Sequence, residues 1–145
     1  MSDEEQELAE RVVHAMMAKD AFSQALGMEV VSVRPRGSTV RLTVREDMVN
    51  GFGVCHGGVA FSLADSALAF ACNTRGRITV AIENGIRYPK GIAVGDVLTA
   101  TAEEESSTNR LGFYRVTVRR ANDEVVATFT GTVYQTHQAF FTDTE

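Results

Sequence analysis

The chain has 145 residues, of which 44% are hydrophobic and 23% charged, with a formal net charge of −5. A chain of this size buries roughly 70% of the surface its unfolded form exposes, so one core can form without metal or disulfide staples. The balance excludes wholesale disorder, no apolar run reaches the ~18 residues of a membrane helix, and the negative charge gives a nucleic-acid partner no electrostatic support.

Asp3, Glu4, Glu5 and Glu7 make the N-terminus unlike a secretory or mitochondrial leader. Cys55 and Cys72 are therefore expected to be reduced thiols in the cytosol. Residues 2–19 read as an amphipathic helix: Ser2 and Glu5 have capping-box spacing, and Leu8, Val12, Ala15, Met16 and Lys19 recur at helical intervals. Asp20 to Leu26 adds a further turn, closed by Gly27. From Met28 the period becomes two. Val31 and Val33 alternate with Ser32 and Arg34, Arg36-Gly37 turns the chain, and Val40, Leu42 and Val44 alternate with Arg41, Thr43 and Arg45. This is a hairpin with one wet face.

A loop over 47–58 holds Gly51, Gly53, Gly57 and Gly58 and leads into an expected helix, Val59–Asn73, apolar on nearly every side and ended by Gly76. A helix hydrophobic all round is a buried helix. Strands are expected at 77–89, 96–107, 111–121 and 124–136, with a turn at Asn122-Asp123 and a tail over 138–145. Strands in runs, without alternating helices, indicate an α+β domain: an antiparallel sheet of five or six strands wrapped around one central helix. No internal repeat or linker divides the chain, so 1–145 reads as a single domain.

The stretch Asn50 to Gly76 carries the chemistry. A glycine-rich loop ends at a helix start, where the first amides lack an internal acceptor and point outward with the positive end of the dipole. Gly57 and Gly58 let a ligand approach that backbone, which makes a donor site for a phosphate or a developing oxyanion. His56 sits immediately before it. Asp65 is the only charged side chain between His56 and Arg75, and a carboxylate on an apolar helix is costly unless paired or used. Each feature also has a plainer reading: a tight turn for the glycines, a helix cap for His56, an ion pair with an arginine for Asp65. Cys55 as nucleophile is disfavoured because adjacent side chains of an extended loop point apart. His14, His56 and His137 offer no ligand-spaced pair for a metal, and no Gly-Lys-Ser/Thr follows the glycines for a nucleotide loop.

The string HGGVAFSLADSALAFACNTRG, preceded by Asn50-Gly51 and followed by strands ending VATFTGTVY, resembles the hotdog-fold acyl-coenzyme A thioesterases, most of all their phenylacetate-pathway branch. The likeness covers about residues 20–136. It implies a hotdog fold paired into homodimers or homotetramers, an acyl-coenzyme A substrate and no cofactor. By position, Asp65 matches the catalytic carboxylate, as nucleophile or general base. The Gly57 amide matches the donor to the thioester carbonyl, with Gly58 beside it, and Asn50 and His56 match the loop residues that position the reacting groups. Some relatives carry a Ser or Thr in the next strand near Ala81, a residue that cannot hold a water; Thr79 lies two residues off register.

Arg87, Lys90 and Arg110, at strand or loop ends, are the candidates to meet coenzyme A phosphates. The reading is hydrolysis of acyl-coenzyme A thioesters, with arylacetyl groups leading. The alternatives are a hotdog dehydratase or hydratase using Asp65 with His56, and a non-catalytic acyl-coenzyme A sensor. Gly58 and Asp65 lie seven positions apart on one helix, roughly 10 Å. A thioester carbonyl cannot touch both, so the spacing also points to a site shared between two chains.

Overall fold

The computed structural model describes residues 2–142. Its helices are α1 (Asp3–Lys19), α2 (Ala21–Ala25) and α3 (Gly57–Asn73); its strands are β1 (Glu29–Arg34), β2 (Gly37–Thr43), β3 (Arg77–Arg87), β4 (Val97–Ser107), β5 (Leu111–Arg119) and β6 (Val125–Ala139). The strands form one antiparallel sheet in the order β1-β2-β4-β5-β6-β3. The sheet curls around α3, and the α+β hotdog arrangement expected from the sequence is present.

The α3 sequence dictates that wrapping. Leu63, Ala64, Ala67, Leu68, Phe70 and Ala71 are all fully buried, which no single flat face could achieve for a helix. β2, β4, β5, β6 and β3 each touch α3, and α1 covers part of what remains through Ala9, Val12 and Val13. A buried hydrogen bond from Ser38 Oγ to Ala67 O, 2.7 Å, ties the helix to β2. α1 starts as its spacing predicts: Ser2 Oγ accepts from Glu5 N at 3.1 Å. Gly27, at φ 73°, closes α2 in the left-handed region that glycine enters without penalty.

Four boundaries differ from the expectation. Val40, Leu42 and Val44 are buried but Val31 is 49% exposed, because the register slips between Val30 and Ser32. That bulge adds one residue to β1 and reverses its alternation, so Val30 and Val33 face the core instead. α3 begins at Gly57, two residues early, since His56 caps it. β3, β4 and β5 are each one or two residues shorter than expected, and β6 starts one residue later. Most of the expected tail is structured: β6 runs to Ala139, which pairs with Arg77, Phe140 N donates to Gly76 O at 2.7 Å, and the Arg11 guanidinium lies 4.5 Å over the Phe141 ring. Residues 143–145 of that tail lie outside the described residues. The Asn122-Asp123 turn is as read, with both residues at positive φ, a conformation Asn and Asp tolerate better than most.

Phe70 is the largest fully buried side chain of α3. Phe70→Ala is expected to destabilise the fold by about 3–5 kcal/mol, measured as a fall in the midpoint of urea unfolding at fixed protein concentration.

Candidate active site

The N-terminus of α3 is assembled by the loop before it. Asn50 organises that loop: its Oδ1 accepts from Phe52 N at 2.9 Å and from Val54 N at 3.4 Å. His56 N donates to Met48 O at 2.8 Å, which fixes the entry to the helix. The imidazole then caps it, Nδ1 accepting from Gly58 N at 2.9 Å. An accepting Nδ1 requires the neutral ring to carry its proton on Nε2. The plainer reading of His56 as a cap thus holds alongside its place in the loop.

That cap selects which amide is available. Gly58 N is taken by His56 and Val59 N bonds to His56 O. Gly57 N, the first amide of the helix, has no acceptor among the described residues. It points outward with the positive end of the α3 dipole behind it, the arrangement that stabilises a developing oxyanion. Tyr88, not singled out from sequence, braces the same residue from β3's end: its hydroxyl donates to Gly57 O at 2.7 Å. A Cβ at position 57 would stand 3.1 Å from Tyr88 Oη, so glycine permits the close approach.

Asp65 lies midway along α3, half-buried. Among the described residues it has no arginine partner; instead Asn84 Nδ2, on β3, donates to its Oδ1 at 3.0 Å. Burial raises the Asp65 pKa above the usual carboxylate value, the Asn84 hydrogen bond works against that rise, and the Asp20 charge adds to it. Asp20 is held near by a short chain of hydroxyls. Its carboxylate accepts from Ser23 N at 2.9 Å and Ser23 Oγ at 2.7 Å, and Ser23 Oγ meets Ser66 Oγ at 2.8 Å. The network clamps α2 onto α3 beside Asp65.

The family resemblance puts an auxiliary Ser or Thr of some relatives near Ala81, which cannot fill that role. Ala81 is exposed. Thr79 is buried and otherwise engaged: its N and O are bracketed by the Asn73 carboxamide, and its hydroxyl donates to Arg77 O. Asn84 was missed. The signal that could have found it is Gly131, a glycine inside β6 opposite Asn84, since glycine in a strand marks a close approach.

The basic candidates do not gather. Arg87 is exposed beside a groove of about 330 Å³ lined also by Gly85, Ile86, Thr128 and Thr130. Lys90 lies 3.9 Å from Glu124, which Arg120 also engages. Arg110 donates to Tyr134 Oη at 2.8 Å. Arg87 pairs with Thr128 and Val80 with Tyr134 along β6, so Arg87 and Arg110 sit about 20 Å apart at the strand rise, with Asn84 and Asp65 between them. Cys55 is buried while its neighbour His56 is exposed, and burial pushes its thiol up, which leaves it a poor nucleophile. Asp65 and His56, nine positions apart, are separated by about 13 Å on one helix, too far to share one proton within a chain. Among the described residues no three His, Cys, Asp or Glu side chains group to hold a metal, and no helix is long and apolar enough to cross a membrane.

Residues 52–127 match the family model of the thioesterase superfamily. The chain is 39% identical to the acyl-coenzyme A thioesterase PaaI of Escherichia coli over 118 residues, 81% of this chain and 84% of that protein. The structure of the E. coli PaaI protein from the phenylacetic acid degradation operon superimposes with a TM-score of 0.90 at 35% identity, over 92% of this chain and 97% of that one. A Streptococcus mutans protein solved with acetyl coenzyme A bound aligns with a TM-score of 0.74 at 25% identity, over 77% of this chain and 90% of its own.

The raised pKa of Asp65 has a signed consequence for stability. The native state holds the proton more tightly than the unfolded chain, so the ionised carboxylate disfavours the fold. That penalty is absent below the ordinary Asp value, grows as pH rises through the folded value, and is complete above it. Asp65→Asn keeps the shape and an acceptor for Asn84 while removing the charge. Its melting temperature at pH 7–8 is expected to equal or exceed that of the parent, with the difference shrinking as pH falls toward the ordinary Asp value, measured by scanning calorimetry across that range.

Proposed function

The chain belongs to the thioesterase superfamily, and on that premise we propose that it hydrolyses acyl-coenzyme A thioesters to the free acid and coenzyme A. We propose arylacetyl thioesters as the substrate class and a reaction centre shared by two copies of the chain. The observation that carries this reading is the pairing, in this fold, of one free helix-terminal amide at Gly57 with one half-buried carboxylate at Asp65.

The chemistry suits so small a set. The Gly57 N–H receives the carbonyl oxygen. As a water oxygen bonds to the carbonyl carbon, Asp65 takes the water's proton and the carbonyl oxygen becomes an oxyanion; losing such a donor costs roughly 3–4 kcal/mol of barrier. The oxyanion re-forms the carbonyl as the C–S bond breaks. The sulfur leaves as a thiolate, whose conjugate acid has a pKa of roughly 8.5, so no strong general acid is needed, and the proton on Asp65 passes to it. The carboxylate must be ionised to begin, so kcat rises with pH through the elevated Asp65 value.

Gly57 and Asp65 of one helix are about 12 Å apart, while the reaction needs both within about 3 Å of adjoining atoms. β3 supplies the reason to pair. It is an edge strand, bonded among the described residues only to β6, and it leaves Val80 and Ile82 48% and 59% exposed. An apolar strand edge of this kind is covered when a second copy's β3 lies against it across a two-fold axis. The two α3 helices then run antiparallel side by side, bringing Asp65 of each to the Gly57 loop of the other. Two such dimers make a homotetramer. Arg87, Lys90 and Arg110 line opposite ends of that seam and meet coenzyme A phosphates. The E. coli relative from the phenylacetic acid degradation operon supports the arylacetyl class, and two unpaired thiols suit a cytosolic enzyme.

Asp65→Asn is expected to lower turnover of phenylacetyl-coenzyme A at least ~100-fold in a protein that stays folded, followed by a thiol-trapping dye; near-parental turnover would make the carboxylate structural. Sharing is tested by refolding two inactive proteins together, Asp65→Ala and the double variant Asn50→Ala with His56→Ala. Each mixed dimer regains one intact centre and a sizeable fraction of parental activity. If mixed dimers form and activity stays absent, each centre lies within one chain.

A further inference from the structure

Asn84 holds an unusual position beside the reacting carboxylate. Its Nδ2 donates to Asp65 Oδ1 at 3.0 Å. Its own Oδ1 is buried and has no hydrogen-bond partner among the described residues. A buried amide oxygen left unpaired is costly, so such an atom calls for an explanation. The packing keeps it there. Asn84 pairs with Gly131 of β6, and a Cβ on Gly131 would stand 2.9 Å from Asn84 Oδ1 and 2.5 Å from Leu68 Cδ2. Glycine at 131 therefore makes the room in which the carboxamide sits.

We propose that Asn84 is the positioning residue of the reaction, holding one oxygen of Asp65 so that the other faces the water, and turning its amide when Asp65 takes the proton. The inference rests on the thioesterase reading. A carboxylate is acceptor-only, so ionised Asp65 needs the N–H of Asn84; a carboxylic acid carries an O–H and needs an acceptor. A half-turn of the carboxamide exchanges donor for acceptor at the same place. An amide whose oxygen was already bonded elsewhere would lose that bond on turning. Here Oδ1 has nothing to lose, so one side chain serves both protonation states. The titratable groups around Asp65 are Asp20, at the start of α2, whose charge opposes ionisation, and Cys72, farther along α3, which burial holds up to about 12 and therefore neutral. Neither donates a hydrogen bond to the carboxylate, which leaves Asn84 as its donor among the described residues.

The test follows the Asp65 carboxyl carbon by NMR titration in the full chain and, separately, the pH profile of kcat. Asn84→Leu keeps the bulk and removes the donor. The bond to the ionised carboxylate is charge-assisted and stronger than the one a turned amide makes to the neutral acid, so the Asp65 midpoint and the acid limb of kcat are expected to rise by about one pH unit, kcat to fall ~10-fold or more, and KM to stay within about twofold. Asn84→Ala admits water as a substitute donor and shows a smaller rise in the same direction. In the unaltered protein the Asn84 amide signals titrate with the Asp65 midpoint. A folded Asn84→Leu protein with an unmoved Asp65 midpoint overturns the proposal, whatever its activity. If Asn84→Leu does not fold, the Asn84→Ala midpoint decides: a rise supports the role and no rise overturns it. A shifted midpoint in a protein that hydrolyses no thioester leaves Asn84 in place as the partner of Asp65 and removes the function proposed above.

Discussion

The structure depends on one constraint: α3 is apolar on nearly every side and must be covered on every side. A flat sheet covers one face of a helix. Six antiparallel strands that coil around it cover most of the circumference, and α1 and α2 close another sector. What remains is a strip running past Ser62, Asp65 and Ala69, partly exposed between the sheet edge and the N-terminal helices. The strip exists because the wrapping element is open, with β3 as one of its two free edges. The candidate carboxylate, Asp65, lies where the covering stops.

A carboxylate at such a place is poised between two solvents. Burial disfavours its charge, while Asn84 stabilises it. The hydroxyl chain from Asp20 through Ser23 to Ser66 uses buried polar atoms as mutual partners, so the helix pays for only one underused polar atom in this neighbourhood, the oxygen of Asn84. At the other end of the site the economy is similar. His56 and Tyr88 satisfy Gly58 N and Gly57 O, and the single amide left over is the one aimed outward. Both ends of the site thus expose one group each and brace everything around it.

Much of this was legible in the sequence. Asp65 stood out because it is the only charge on an apolar helix, a contrast visible without any fold. The loop-to-helix junction was visible for the same local reason, and the resemblance carried by HGG and the spaced aspartate supplied the wrapping. What stayed hidden depends on partners distant in sequence. The inward face of β1 could not be read past Ser32, because a bulge is a relation between two strands. The terminal residues resembled a tail because Phe140 and Phe141 find their partners at Gly76 and Arg11. Lys90 and Arg110 looked like one set with Arg87 until the strand order separated Arg110 from the other two. Asn84 was hidden most deeply: as a polar residue on an edge strand it reads as solvated, and only Gly131 across the ladder makes it part of the interior.

The pairing of β3 with β6 also sets an order of assembly. β3 emerges from synthesis early and β6 last, yet β6 is the only strand within the chain that β3 bonds. Non-local pairings of this kind form late, after the entropy of closing a long loop has been met. Until then β3 has two open edges and carries Val80 and Ile82 uncovered, which makes the unfinished chain the form most prone to wrong association. Docking of β6 closes one of those edges, leaves the other open, and sets Gly131 under Asn84 in the same event. A growing chain therefore cannot hold Asn84 in its place beside Asp65 before it holds a finished sheet.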